Sequence, residues 1–249
     1  MNSYGRLCTQ YYDIDKPQPQ ADALAFYLDQ AALSGGPLLE PMCGSGRFLL
    51  PLMQAGYDIT GVDASPEMLA ACRRKALRLG LTPDLHQQFL HELDLPCAYA
   101  LVLIPSGSFG LITDLSQARE SLRRLFRHTL PGGQVVLECD QMMTQPEANP
   151  EPGVSHVIRP DGAEIRLASS GTLDADEHIY HSINRYQLWV EDRVIDQEVE
   201  QFDLRYYEPE RISGLLEEAG FAVLEVQAAF DDQKPLAEAD SFIATARKP

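Results

Sequence analysis

The chain changes its hydrophobic rhythm once, near residue 140. Before that point two periods alternate. Across Ala21 to Leu33, the residues Leu24, Tyr27, Leu28 and Ala31 recur at three- and four-residue spacing, which predicts an amphipathic helix stopped by Gly35-Gly36-Pro37. Short apolar runs near 37–40, 58–63, 84–89, 99–105 and 133–140 predict strands. Helical stretches near 46–55, 66–79 and 114–129 separate most of them, and Ser65-Pro66 and Thr113-Asp114 carry the side-chain caps and first-turn proline that start helices. The alternation predicts an α/β, doubly wound, mainly parallel sheet covered on both faces, with its ligand crevice at the carboxyl ends of the strands.

After residue 140 the pattern becomes that of antiparallel strands. Residues 141–153 are polar and contain prolines, which predicts a lid loop. Strand-like runs follow at Glu164–Gly171, Glu177–Val190 and Arg193–Tyr206, broken by the turn signals Pro160-Asp161-Gly162, Asp174-Ala175-Asp176 and Glu191-Asp192. A helix near 209–219 ends at Gly220, and Phe221–Phe230 with Asp240–Ala246 form a final hairpin. The expected organisation is a core made of residues 1–140 and 207–249, with an inserted segment at 141–206 that covers a substrate or makes a dimer contact.

Between the first two strands lies a glycine-rich turn, Leu38-Leu39-Glu40-Pro41-Met42-Cys43-Gly44-Ser45-Gly46-Arg47. Glycines after a strand let the backbone approach a ligand, and the following helix presents free N–H groups. The second strand ends at Asp63, 17 residues past Gly46, where one carboxylate can accept both hydroxyls of a ribose. This points to a nucleoside cofactor, either a dinucleotide or S-adenosylmethionine. Leu49 occupies the place of the third glycine of the dinucleotide fingerprint. Glu40 would repel a pyrophosphate but attract a sulfonium or ammonium group. Charge therefore favours the cationic cofactor over a dinucleotide oxidoreductase.

Glu40 to Arg47, Val62-Asp63-Ala64-Ser65 with Met68, Leu101 to Pro105, and Leu130-Pro131-Gly132-Gly133 resemble, in order and spacing, successive motifs of the class I S-adenosylmethionine-dependent methyltransferases. The motifs cover about residues 10–140, and Arg205 to Phe221 resembles the last helix and strand of that fold. The resemblance implies a seven-stranded Rossmann-like sheet and S-adenosyl-L-methionine as cofactor. It places the methionine part of the cofactor at Glu40, Met42, Gly44 and Gly46, the ribose at Asp63, and Ala64, Met68 and Ile104 around the adenosine. Tyr11-Tyr12-Asp13 resembles the Tyr-Asp opening segment of small-molecule members, which implies that Tyr12 folds over the cofactor. Relatives carry a Gly-Asp pair after the third strand; here Gln88-Phe89-Leu90 stands in its place, so Phe89 is expected to pack on the adenine while the Leu90 N–H meets a ring nitrogen. Ala100 likewise replaces a frequent acid.

Ser106 and Phe109, just past the fourth strand, are the expected substrate contacts, with Arg185 and Tyr206 from the second half of the chain. His156, His178, His181, Tyr186, Trp189 and Arg205 are further candidates for the substrate pocket. The segment at 104–110 is not the Asn-Pro-Pro-aromatic motif of enzymes that methylate amino groups of nucleic-acid bases. No general base is assigned.

Composition narrows the partners. Among 249 residues, 37 acids face 20 bases for a net charge of −17, which repels phosphodiester backbones. Arg73-Arg74-Lys75 with Arg78, and Arg119, Arg123, Arg124 and Arg127, fall at helical spacing and read as solvated helix faces. No apolar run approaches the roughly 20 residues that span a bilayer, and the N-terminal residues lack the apolar core of an export signal. Five cysteines without C-x-x-C spacing suit a reduced, cytoplasmic setting, and a strand sends His178 and His181 to opposite faces with no cysteine pair beside them, so no metal is expected. The expected function is methyl transfer to nitrogen or oxygen of a small molecule, by a monomer or homodimer without nucleic-acid or membrane partners. The alternative is a relative that binds S-adenosylmethionine or S-adenosylhomocysteine without catalysis.

Overall fold

The computed structural model describes residues 4–142, 149–231 and 233–249, with the backbone alone at 149–151. Seven strands form one sheet: β1 (Leu38–Pro41), β2 (Ile59–Asp63), β3 (Asp84–Gln87), β4 (Tyr99–Ile104), β5 (Thr129–Asp140), β10 (Ala222–Ala228) and β11 (Ser241–Arg247), in the order β10-β11-β5-β4-β1-β2-β3. The pairs β1/β2, β1/β4, β2/β3 and β4/β5 are parallel, while β11 runs antiparallel to both β5 and β10. The mainly parallel, seven-stranded sheet anticipated above is present. The expected final hairpin is there too, with β11 slotted between β5 and β10.

Successive core residues point to opposite faces, as a strand requires. Leu39, Val102, Ile104, Val135 and Leu137 pack beneath α5 (Leu115–His128) and α6 (Pro209–Ala219). Leu38, Leu101, Leu103 and Val136 pack beneath α2 (Ala21–Ser34), α3 (Leu49–Gln54) and α4 (Pro66–Arg78). Burial on both faces is why these strands are continuously apolar. Where α4 begins, Ser65 Oγ accepts from the Met68 N–H at 3.1 Å and Pro66 occupies the first turn, so the predicted cap forms.

The remaining strands, β6 (Asn149–Ile158), β7 (Glu164–Asp174), β8 (Ile179–Val190) and β9 (Arg193–Arg205), form a separate antiparallel sheet in sequential order. Three of them match the predicted runs. Strand β6 replaces part of the loop expected at 141–153, of which residues 143–148 lie outside the described residues. It is an edge strand, which tolerates Pro150 and Pro152 because one side of its backbone has no ladder to satisfy.

A second difference lies at the N-terminus, where α1 (Arg6–Asp15) is a full helix. Its buried residues Leu7, Cys8 and Tyr11 pack on Ile165, Tyr186 and Leu188 of the antiparallel sheet. Only four of its positions are buried, too few to show a periodic face in isolation. The free N–H groups of its first turn are met from β9: Glu198 accepts from Leu7 and Cys8, both at 3.2 Å, and Glu200 accepts from Gly5 and from Tyr4. A Cβ at position 5 would sit 2.5 Å from Glu198 Oε1, so a larger residue there would push this capping carboxylate aside. On its other side α1 meets the core through Asp13, which accepts from Lys75 Nζ at 2.9 Å and from Ser45 Oγ at 2.6 Å.

Candidate active site

The glycine-rich turn bends sharply at the carboxyl end of β1, with Met42, Gly44 and Gly46 all at positive φ. Its two glycines are needed for different reasons. At Gly44 (φ +54°) a Cβ would meet only Met68 Sδ at 3.9 Å, so the demand is conformational, and the residue faces a cavity. At Gly46 (φ +80°) a Cβ would lie 2.6 Å from Cys72 Sγ, so the demand is also close packing of the turn on α4.

The cavity has a volume of about 580 Å³ and opens over the ends of β1, β2 and β4. Asp63 anchors its floor: Oδ2 accepts from the Gly44 N–H and Oδ1 from the Ser65 N–H, both at 2.8 Å. Burial pushes its carboxyl above the usual range, and the two N–H groups pull it back. Glu40 is 2% exposed, and its Oε2 is buried with no hydrogen-bond partner. Burial pushes its carboxyl well upward, opposed chiefly by the Arg47 guanidinium. Arg47 reaches Ser106 Oγ and lies over the rings of Tyr12 and Phe48, 5.7 and 5.4 Å from their centroids. Tyr12 in turn packs edge-on against Tyr4 at 6.1 Å.

Of the residues singled out in the sequence, Tyr12, Glu40, Met42, Gly44, Asp63, Ala64, Met68, Phe89, Leu90 and Ser106 all line this cavity. Phe89 is 37% exposed and stacks on His91 with centroids 5.5 Å apart, so its ring forms part of the rim beside the buried Leu90. Ser106 sits at φ +61° with its N–H on Glu138 Oε2 at 2.7 Å. Gly46 and Ile104 stand behind the wall, the first against Cys72 and the second wholly within the core.

Three expected substrate contacts lie elsewhere. Phe109 is fully buried, because the 3-10 turn Ser108–Leu111 drives its ring down onto Tyr207, 5.3 Å away. Arg185 is exposed on β8, since strand alternation turns its buried neighbour Tyr186 toward α1 instead. Tyr206 lines a second cavity of about 410 Å³ with His178 and Glu208. Arg205 donates from Nε to the Thr113 carbonyl at 2.8 Å, Arg166 covers the ring of Trp189 at 4.1 Å, and His156 lies 4.0 Å from Glu164, so these groups serve the inserted sheet and its joint with the core.

Sequence reasoning missed Tyr4, Arg47, His91, Glu92, Gln201 and Asp203, all of which line the cavity. Arg47 carried a signal, because the residue straight after Gly46 starts the turn into α3. Gln201 and Asp203 carried none, since nothing local tells which face of β9 meets the core.

The donor set fits S-adenosylmethionine. An orphaned buried carboxylate oxygen on Glu40 suits the amino group of its methionine part, and Asp63 on the second strand end suits the ribose hydroxyls. Met68 and Leu90 give the apolar walls an adenine needs, with Phe89 at the edge.

Comparison with known proteins agrees. Residues 38–133 match the profile of a methyltransferase domain. A protein of Geobacillus sp. (strain WCH70), provisionally assigned as a methyltransferase, is 24% identical over 216 residues, 85% of this chain and 84% of its own length. The crystal structure of an S-adenosylmethionine-dependent methyltransferase from Clostridium acetobutylicum ATCC 824 superposes with a TM-score of 0.77 at 15% identity, covering 95% of this chain and 96% of that one. A sugar N-methyltransferase from Streptoalloteichus sp. ATCC 53650 superposes with a TM-score of 0.74 at 22% identity, over 100% of this chain and 97% of its own. Residues 38–133 thus match the methyltransferase domain family, and the chain as a whole has the fold of S-adenosylmethionine-dependent methyltransferases.

Proposed function

We propose that this enzyme methylates nitrogen or oxygen of a small molecule bound between the strand ends, α1 and the inserted sheet. The observation that carries the reading is a single cavity walled on one side by Glu40, Gly44, Asp63 and Met68, and on the other by Tyr4 and Tyr12 of the N-terminal segment with Gln201 and Asp203 of β9. A volume of about 580 Å³ holds a cofactor and a modest acceptor but no folded polymer. The net charge of −17 argues against a polyanionic acceptor.

S-adenosylmethionine supplies an electrophilic methyl group on a sulfonium centre. The chain's own work is alignment and exclusion of water. Asp63 and Glu40 fix the two ends of the donor, and the Tyr4 and Tyr12 rings close over it. The inserted sheet completes the wall through β9, which supports its role as a substrate cover. Positioning of this kind accounts for much of the rate of such displacements, with effective molarities of roughly 10⁵–10⁸ M in well-oriented systems. The resemblance to a sugar N-methyltransferase supports nitrogen as the acceptor atom.

The test is S-adenosylhomocysteine formation from S-adenosylmethionine in the presence of a small-molecule metabolite extract. Extract-dependent turnover that Asp63→Ala removes is expected. Turnover supported by nucleic acid or protein fractions, and not by the small-molecule fraction, overturns the reading.

A further inference from the structure

Three polar side chains of the inserted sheet form a unit at the cavity that cofactor binding leaves unexplained. Gln201 and Asp203, two residues apart on β9, both line it. The Asp203 side chain is 26% exposed, and its Oδ1 lies 3.0 Å from Nδ1 of His181, its direct register partner on β8. Oδ2 accepts from Gln201 Nε2 at 3.0 Å. An ionised carboxylate only accepts, so His181 donates its Nδ1–H, and both carboxylate oxygens keep acceptor capacity for a third group. Two neighbours thus hold Asp203 in place at the wall without exhausting it.

The charge balance of the cavity says what that third group is. Among the described residues four carboxylates line the space, Glu40, Asp63, Glu92 and Asp203, against one permanent cation, Arg47. Arg47 is engaged by Ser106 and the rings of Tyr12 and Phe48. Glu40 and Asp63 belong to the donor, and Glu92 is 64% exposed at the rim. Asp203 is left for the acceptor. A carboxylate or phosphate substrate would meet uncompensated negative charge there, and a cation would be drawn in.

We propose that Asp203, positioned by His181 and Gln201, receives the reacting group of the substrate, and that this group is an amine arriving as an ammonium ion. The assignment rests on the methyltransferase reading above. One ammonium proton passes to Asp203 and on to solvent. The freed nitrogen lone pair forms the new N–C bond as the C–S bond breaks, and the electron pair of that bond stays on sulfur, leaving a neutral thioether. The nitrogen ends as a methylated ammonium, so one proton is released per turnover.

Sinefungin tests this directly, because its amine stands where the donor carries its methyl group, whereas S-adenosylhomocysteine has none there. In titration calorimetry, Asp203→Asn is expected to weaken sinefungin about tenfold or more while S-adenosylhomocysteine changes less than about twofold. Asp203→Glu, which keeps the charge, restores most of the sinefungin affinity. Equal changes for the two ligands, or no change for either, overturn the proposal. Failure of the unsubstituted protein to bind both ligands would instead overturn the cofactor reading itself.

Discussion

Glu40 at the end of β1 and Glu200 in the middle of β9 are buried to a similar degree, 2% and 8% exposed, yet their surroundings differ in kind. Around Glu200 the inserted sheet and the start of α1 interlock: its Oε1 takes the N–H groups of Tyr4 and Gly5, while Glu198 beside it takes those of Leu7 and Cys8. Each acid keeps one buried oxygen, Oε2, without a partner among the described residues, but that of Glu40 belongs to a side chain lining the cavity, where Arg47 is turned to Ser106. Glu198 and Glu200 of the inserted sheet serve the start of α1, and Glu40 and Asp63 at the core strand ends face the cavity. The same residue type at the same burial therefore caps a helix in one region and faces the ligand cavity in the other, and what separates them is the N–H groups that Glu200 takes from Tyr4 and Gly5.

The largest effect is expected at Asp63. Asp63→Ala removes two charge-assisted acceptors for the ribose and frees the Gly44 and Ser65 N–H groups that the carboxylate holds. A loss of about a hundredfold in S-adenosylhomocysteine affinity by calorimetry is expected. Affinity unchanged within experimental error would remove Asp63 from the binding set and break the comparison at its centre.

Glu40→Gln separates binding from stability. Loss of the charge opposite the cofactor's amino group is expected to weaken S-adenosylmethionine about tenfold. Stability should move the other way. Burial raises the folded carboxyl above its ordinary value of 4.5, so the folded state holds the proton more tightly than the unfolded chain. That contribution is complete below pH 4.5 and is lost as pH rises through the raised folded value. The unliganded protein should therefore lose stability as pH climbs from 4.5, and Glu40→Gln should flatten part of that fall and be more stable near neutrality. Urea denaturation at several pH values reads both. A variant less stable than the parent at neutral pH would make Glu40 a structural acid.

Glu198→Ala and Glu200→Ala should behave in the opposite sense, each lowering stability by about 1–2 kcal/mol through lost capping of α1. Cofactor affinity should fall only a little, through a looser Tyr12. If either variant stabilises the protein as Glu40→Gln does, the distinction between the two regions fails.

These contrasts also explain what the sequence could and could not reveal. Core strands buried on both faces, such as Leu101 to Ile104, announce themselves as apolar runs, and Glu40, Gly44 and Asp63 sit at fixed offsets from those runs, so the strand-end side of the cavity was legible. Elements stabilised from outside were not. Helix α1 draws its order from β9, and β6 is held along one edge by β7, so neither shows in a local window. Phe109 looked like a substrate contact because it follows a strand end, but the tight turn at Ser108 reverses its direction into the core. Asp203 was invisible for a related reason. Its role depends on which face of β9 meets the cavity, which is fixed by sheet packing and not by the residues beside it.

The smallest expected effect lies at the adenine end, where the core gives up its usual acid. Phe89 stacks on His91 at the rim and is 37% exposed, so its ring offers one partly solvated face to the adenine. Aromatic pairs of this kind contribute about 0.5–1.5 kcal/mol beyond area burial, and solvent on the outer side holds the value to the lower part of that range. Phe89→Ala should accordingly weaken S-adenosylhomocysteine only about threefold to fivefold, well short of the Asp63 effect. Phe89→Asp supplies an acceptor in the position relatives use and should match or exceed the parent affinity. A hundredfold loss for Phe89→Ala would show that the ring carries the adenine, and that the core's reliance on acids extends only to the ribose and methionine ends of the pocket.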